Sequence, residues 1–266
     1  MINGVTSLYD KVYLIRRRSS ELEQYNADSF ALEHRFIVNE LVSPFDVLSS
    51  LKYSCLYISD CDTNSIHRVE LHGKTTKWLI GGEPHGLSVT KDGWNVIVAF
   101  HKALQLCEFT THGDLVRTIS LPSDCLHPLH AAQMFNDCYV ICHGWGEDQR
   151  NRVCIVSGTG RMRKFYSCTT SDGSTENQYS YPACLRLYVD ASGYICLLNA
   201  FHKSVMLFDA NLKLIRNLIS GCDINAPYRF CFDEVRGRMY IADVNDKSDD
   251  ETLREGEMLV YNVKDI

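Results

Sequence analysis

The chain has 266 residues, of which 45% are hydrophobic and 23% charged, with a formal net charge of −6. That much apolar side-chain area excludes an intrinsically disordered chain. The mildly negative balance argues against a polyanion as the main partner, and no run approaches the roughly eighteen apolar residues of a membrane span.

The first residues, MINGVTSLYDKVYLIRRR, carry Asp10 and Lys11 and have no basic segment ahead of an apolar core. They do not read as a signal peptide, so a cytoplasmic location is expected. The same region opens a series of short runs rich in Val, Ile, Leu, Tyr and Phe: GVTSLYD (4–10), KVYLIRR (11–17), ELEQYN (21–26) and ALEHRFIV (31–38). Similar sets then recur, each opened by a proline. Five of the six prolines mark this point, at Pro44, Pro84, Pro128, Pro182 and Pro227, spaced by 40, 44, 54 and 45 residues. The second runs are CLYISD (55–60), NVIVAF (95–100), CYVICH (138–143), YICLLN (194–199) and MYIADV (239–244). The third are IHRVEL (66–71), LQLCEF (104–109), VCIVS (153–157), VMLFD (205–209) and MLVYN (258–262). Fourth runs are TTKWLIG (75–81), LVRTISL (115–121), RMRKFYS (161–167) and LKLIRNLI (212–219). Gly73, Gly113, Gly158, Gly160 and Asn211 supply turn chemistry between third and fourth runs.

Each run has the length and composition of a strand, and no helical period of useful length appears. Repeats of this size predict an all-β, six-bladed β-propeller of four-stranded antiparallel blades in one domain spanning 1–266. The blades are expected near 3–38, 43–81, 83–121, 127–167, 181–219 and 226–263. The last repeat ends after its third run, near Ile266. Two readings follow: a three-stranded last blade, or a chain that is part of something longer. Cys55, Cys138, Cys142, Cys154, Cys196 and Cys231 lie inside apolar runs, and no CxxC pair occurs. They are read as buried thiols rather than a disulfide framework.

Pro-x-Gly-Leu-Ser-Val at 84–89, Leu-Tyr-Ile-Ser-Asp at 56–60, Ile-His-Arg-Val at 66–69 and Tyr-Ile-Ala-Asp at 240–243 resemble NHL repeats. Those repeats place an Asp after the second strand and a polar-basic pair at the start of the third. Blades two and six match; Phe100, His143 and Asn199 replace the Asp in blades three to five. The resemblance is to stand-alone invertebrate NHL propellers, which are similar to the C-terminal propellers of tripartite-motif ubiquitin ligases. It implies a recognition module. The chain carries no RING or B-box pattern of its own.

In a propeller the first strand of each repeat lines the central channel. The proline opens that strand, so neighbouring residues share one mouth with the loops between second and third strands and between blades. The long insertions, GWGEDQRNR (144–152), SCTTSDGSTENQYS (167–180) and NDKSDDETLREGE (245–257), belong to these loops. Binding is therefore assigned to this mouth. Asp46, His85, His130, Cys184 and Arg229 are expected to ring it. His85, His130 and Asp46 are metal-ligand types, and related six-bladed hydrolases and lyases hold a catalytic metal, zinc or calcium, in such a ring. His143 and Trp145, in CHGWGED, are further mouth candidates, with His143 and Asp148 as an acid–base pair. There is no P-loop, dinucleotide glycine fingerprint or HExxH. Arg16, Arg17 and Arg18 form a basic corner suited to RNA, but the acidic third insertion works against a broad basic face. The expected function is a monomeric, non-enzymatic, cofactor-free module that binds a protein at the mouth. The alternatives are a metal-dependent hydrolase or lyase, and a single-stranded RNA-binding propeller.

Overall fold

Every set of runs folds into one antiparallel sheet. In this computed structural model residues 1–144, 152–167, 184–221, 223–244 and 256–263 are described. Blade 1 is β1 (Ile2–Leu8), β2 (Lys11–Arg16), β3 (Glu21–Asn26) and β4 (Leu32–Ile37). Blade 2 is β5 (Pro44–Ser50), β6 (Cys55–Asp60), β7 (Ser65–Glu70) and β8 (Thr75–Leu79). Blade 3 is β9 (Pro84–Val89), β10 (Asn95–Phe100), β11 (Gln105–Thr110) and β12 (Leu115–Ser120). Blade 4 is β13 (Pro128–Gln133), β14 (Cys138–His143), β15 (Arg152–Ser157) and β16 (Met162–Ser167). Blade 5 is β17 (Cys184–Val189), β18 (Ile195–Asn199), β19 (Ser204–Phe208) and β20 (Leu214–Ile219). Blade 6 has three strands, β21 (Pro227–Asp233), β22 (Arg238–Val244) and β23 (Gly256–Asn262).

Burial explains the run pattern. Second strands such as β6 and β14 are buried along their whole length, whereas fourth strands such as β4 and β20 are largely exposed. Alternate residues of one strand serve opposite neighbours, as the two-residue period of a strand requires. In β14, Cys138, Val140 and Cys142 join the core shared with blade 5, while Tyr139 and Ile141 join the core shared with blade 3. Cys138 and Cys142 are thus core residues, and Cys55, Cys154 and Cys196 are likewise buried free thiols. Each hydrophobic cluster bridges one pair of adjacent blades, so no blade has a core of its own.

The ring closes where β1 packs beside β21. Among the described residues, no strand from one end of the chain pairs into the sheet of the other. Closure uses side chains instead. Ile2, Val5, Val12 and Leu14 pack with Tyr240 and Ala242. Arg236 donates to the Tyr9 carbonyl at 2.6 Å and Arg238 to the Ala27 carbonyl at 2.6 Å. Asp28 accepts both guanidiniums.

The last residue of the second strand, or in blade 6 the last but one, lies opposite the first residue of its inner strand: Asp60 with Pro44, Phe100 with Pro84, His143 with Pro128, Asn199 with Cys184 and Asp243 with Pro227. In blades 2 and 6 this residue clamps the segment leading to the proline. Asp60 accepts the backbone N–H groups of Val42 (2.8 Å), Ser43 (3.1 Å) and Thr63 (3.3 Å). Asp243 accepts those of Asn225 (2.8 Å) and Ala226 (2.6 Å). Blade 3 uses shape: Phe100 packs so closely on Gly82 that a Cβ there would lie 2.7 Å from the ring. Just after the clamp, every inner strand carries a register irregularity near its start. Bulges of this kind re-aim side chains.

Asp60→Ala strips the acceptor from several backbone donors and is expected to lower the unfolding free energy by about 3 kcal/mol. Asp60→Asn, which keeps one acceptor oxygen, should cost less, and Leu115→Ala on the exposed β12 no more than about 0.5 kcal/mol. Urea unfolding of the three variants measures this order.

Candidate functional site

The bulges bring one residue per blade toward the axis: Gly4, Asp46, Gly86, His130, Arg186 and Arg229. Pairing across β17 and β18 corrects the sequence-based assignment in blade 5. Cys184 pairs with Asn199, which is the position of Pro44, and Arg186 pairs with Leu198, the counterpart of Asp46 with Ser59. Arg186 therefore takes the ring position expected of Cys184. Blades 2 and 5 stand opposite each other in a six-membered ring, and Arg186 donates to the Asp46 carboxylate across the axis. Asp46 also accepts the backbone N–H groups of Leu87 (2.8 Å) and Val47 (2.9 Å). Arg229 spans from blade 6 to the Phe45 carbonyl of blade 2, at 3.4 Å, over the gap left by Gly4. Gly4 is needed there because a Cβ would lie 2.9 Å from the Val47 nitrogen.

His130 lies at 3.0 Å from the Leu87 carbonyl through Nε2. Burial, reinforced by the charges of Arg186 and Arg229, holds its pKa well below the ordinary 6.5. Asp46, His130, Arg186 and Arg229 are all buried. The axis at this level is a plug of buried polar groups, Asp46 and Arg186 bonded to each other and His130 and Arg229 to backbone carbonyls.

His85 does not join His130 and Asp46 in a shared ligand set. It belongs to a stack that runs across blades. Arg229 lies over the Tyr228 and Phe45 rings at 4.3 and 4.6 Å. Phe45 stacks on His85 (3.8 Å between centroids), His85 on His101 (4.3 Å), and His101 tilts against His127 (4.7 Å). His85 Nε2 also faces Glu83 at 3.4 Å, and Lys102 pairs with the same carboxylate at 2.7 Å. The ligand atoms of Cys61, Glu83 and His85 lie within 4.8 Å of one another, a cluster with a metal-type donor set. The Cys61 thiol donates to the Pro84 carbonyl at 3.0 Å, and burial pushes its pKa up.

His143 is buried at the end of β14, away from solvent. Trp145, Asp148 and most of the three long insertions lie outside the described residues. Of the basic corner, Arg16 is bound to Glu23 (3.1 Å), while Arg17 and Arg18 are exposed in the β2–β3 turn.

A feature not anticipated from the sequence lies on the face opposite the prolines. The hairpin tip joining first to second strand carries an exposed large apolar residue in all six blades: Tyr9, Leu51, Trp94, Phe135, Tyr194 and Val235. Their exposure runs from 45% at Tyr194 to 88% at Val235. Contacts tie neighbouring tips into a closed circuit. The Tyr9 hydroxyl meets Ser54 at 2.6 Å, the Lys52 ammonium lies 3.2 Å over the Trp94 ring, and that of Lys91 2.9 Å over Phe135. Gly193 abuts Phe135, so that a Cβ would lie 3.2 Å from its ring. Tyr188 bonds Glu234, and Arg236 returns to Tyr9.

No family model matches the chain, and no curated protein matches it. Its fold is similar to that of a streptogramin B lyase, with TM-score 0.66 and 12% identity over 98% of this chain and 82% of that one. It is similar to virginiamycin B lyase from Staphylococcus aureus, with TM-score 0.64 and 10% identity over 99% of this chain and 84% of that one. A Bacteroides caccae protein of unknown function gives TM-score 0.71 and 10% identity over 95% and 89% of the two chains. At these identities the likeness establishes the six-bladed propeller fold.

Arg186→Met leaves the Asp46 charge buried without its guanidinium and is expected to cost about 3–5 kcal/mol of stability, whereas adding Asp46→Asn should recover much of that loss. Denaturant unfolding of the two single variants and the double variant measures the coupling. The buried imidazoles set an acid limit. Burial draws His101 and His143 down to about 4, from an ordinary 6.5, and also holds His130 well below that ordinary value. These groups are neutral in the fold but take up protons in the unfolded chain. Their contribution is complete above pH 6.5 and is lost as pH falls toward 4. The urea midpoint should fall across that window, and His130→Gln should flatten the fall.

Proposed function

We propose that this chain is a rigid, non-enzymatic protein-recognition module of the NHL type, with the ring of apolar hairpin tips as its docking face. The observation that carries the proposal is the six-fold recurrence of an exposed apolar tip on one face. Scattered exposed apolar residues are ordinary, but a contiguous ring on a fixed frame is the kind of surface that binds another protein. The tips are preorganised by contacts with their neighbours, which reduces the ordering cost of association. Aromatic residues dominate the ring, and Tyr and Trp are typical binding hot spots. The NHL resemblance supports the same reading, because Asp60 and Asp243 do in the fold what a repeat-defining Asp needs to do. Placement as the recognition part of a ubiquitin ligase rests on that resemblance alone.

The proline mouth is the competing surface for the same function, with Leu79 exposed there. The metal-dependent hydrolase or lyase alternative draws on the Cys61, Glu83 and His85 cluster rather than on His85, His130 and Asp46. Asp46 is committed to Arg186, and two guanidiniums on the axis repel a cation. RNA binding at Arg16, Arg17 and Arg18 has less support, since Arg16 is already neutralised by Glu23.

A photo-crosslinking residue placed at Trp94 should capture a defined polypeptide from source cells, while one at Leu79 should not. With that polypeptide purified, Trp94→Ser combined with Phe135→Ser should weaken binding by at least about tenfold. Capture from Leu79 alone would move the site to the mouth. A metal-dependent turnover abolished by His85→Ala would replace the binding reading altogether.

A further inference from the structure

Blade 4 lacks the carboxylate clamp of blades 2 and 6, and what stands in its place has the composition of a metal centre. His143 occupies the position of Asp60 and Asp243. In those blades the carboxylate holds the segment that leads to the proline. In blade 4 that segment, 121–127, contributes Cys125, held in a turn by its N–H to the Pro122 carbonyl at 2.9 Å. The third member comes from β15. Ile141 is directly opposite Cys154, so His143, two residues along β14, projects from the same face as Cys154. The face is the one packed against blade 3.

The Cys125 and Cys154 sulfurs are 3.4 Å apart. One ligand atom from each of Cys125, His143 and Cys154 lies within 4.8 Å of the others, and all three residues are buried. Two thiolates on a tetrahedral zinc, each at about 2.3 Å, stand roughly 3.8 Å apart, so little movement is needed. His143 is 1% exposed; the Leu126 carbonyl faces its ring, but among the described residues neither ring nitrogen makes a hydrogen bond of normal geometry. A buried imidazole without such a bond is costly unless something binds it.

We propose that Cys125, His143 and Cys154 bind a zinc-type cation that joins the blade 3–4 connection to β14 and β15. Soft thiolate and imidazole donors select zinc over calcium or magnesium. Binding displaces the two thiol protons to solvent, and the two thiolates balance the charge of the dication. The site lies between blades, separate from the Cys61, Glu83 and His85 cluster at the mouth.

The test uses the full chain, purified under reducing conditions and stripped with a chelator. Native mass spectrometry during zinc titration should show one zinc per chain, absent in Cys125→Ser and in Cys154→Ser but retained in Cys61→Ser and Cys142→Ser. Cobalt added to the unsubstituted chain should give thiolate-to-metal charge-transfer absorption and the strong visible bands of a tetrahedral site. This reading needs no variant to fold. Three results would overturn the proposal: no zinc and no cobalt spectrum; zinc lost only in Cys61→Ser; or a mass two hydrogens lighter that maps to a Cys125–Cys154 disulfide.

Discussion

The junction between the end of each second strand and the segment that feeds the inner strand governs the rest of this propeller. The segment is neither helix nor sheet, so its backbone donors need partners from elsewhere. Asp60 and Asp243 supply them in blades 2 and 6. Fixing the segment fixes where the proline pairs, and so where the bulge falls. The bulge in turn decides which side chain reaches the axis. A slip of one residue at the junction would send every following side chain of the inner strand to the wrong neighbouring core.

The axis shows what that positioning yields. Arg186 and Asp46 are separated by 140 residues yet bond across the ring. A buried ion pair is weak evidence for extra stability, since apolar residues of the same volume often serve as well. Its value here is geometric. One bond between opposite blades fixes the diameter of the ring, and Arg229 fixes a second span beside it. A frame held at both its circumference and its diameter presents its hairpin tips in one arrangement. Rigidity at one face thus follows from polar bonds near the other.

The strand runs were legible in the sequence to within a residue or two, because central strands buried on both faces read as continuous apolar segments. CLYISD, NVIVAF and CYVICH coincide with β6, β10 and β14. The ring was less legible. Counting forward from each proline failed in blade 5, where Pro182 lies two residues before the position that pairs with the second strand. Aligning instead on the second-strand ends, Asn199 with His143, would have put Arg186 in register with His130. The apolar tips were visible too. Leu51, Trp94, Phe135 and Val235 each stand between a first and a second run, where polar turn residues are the norm, and Tyr194, read as the start of YICLLN, falls just before β18. The Arg186–Asp46 bond was missed because the ring position of blade 5 was assigned to Cys184, two residues before Arg186.

The same junction is solved by different chemistry in different blades, and the solutions differ in what happens when they fail. Removing a carboxylate from blade 2 or 6 takes the acceptor from partly buried backbone donors, a cost paid by the fold itself. Blade 3 depends on the fit of Phe100 to Gly82, which fails only if the shape changes. Blade 4 is different again. Cysteine packs as a small hydrophobe and tolerates burial as a neutral thiol. Cys154 and Cys125 belong to the apolar core between blades 3 and 4 whether or not a ligand holds them. Only His143 carries a polar burden, which the Leu126 carbonyl meets in part. An occupant at this junction therefore adds stiffness between two blades without being a condition for folding. That separates it from the aspartate clamps, whose loss falls on the stability of the fold.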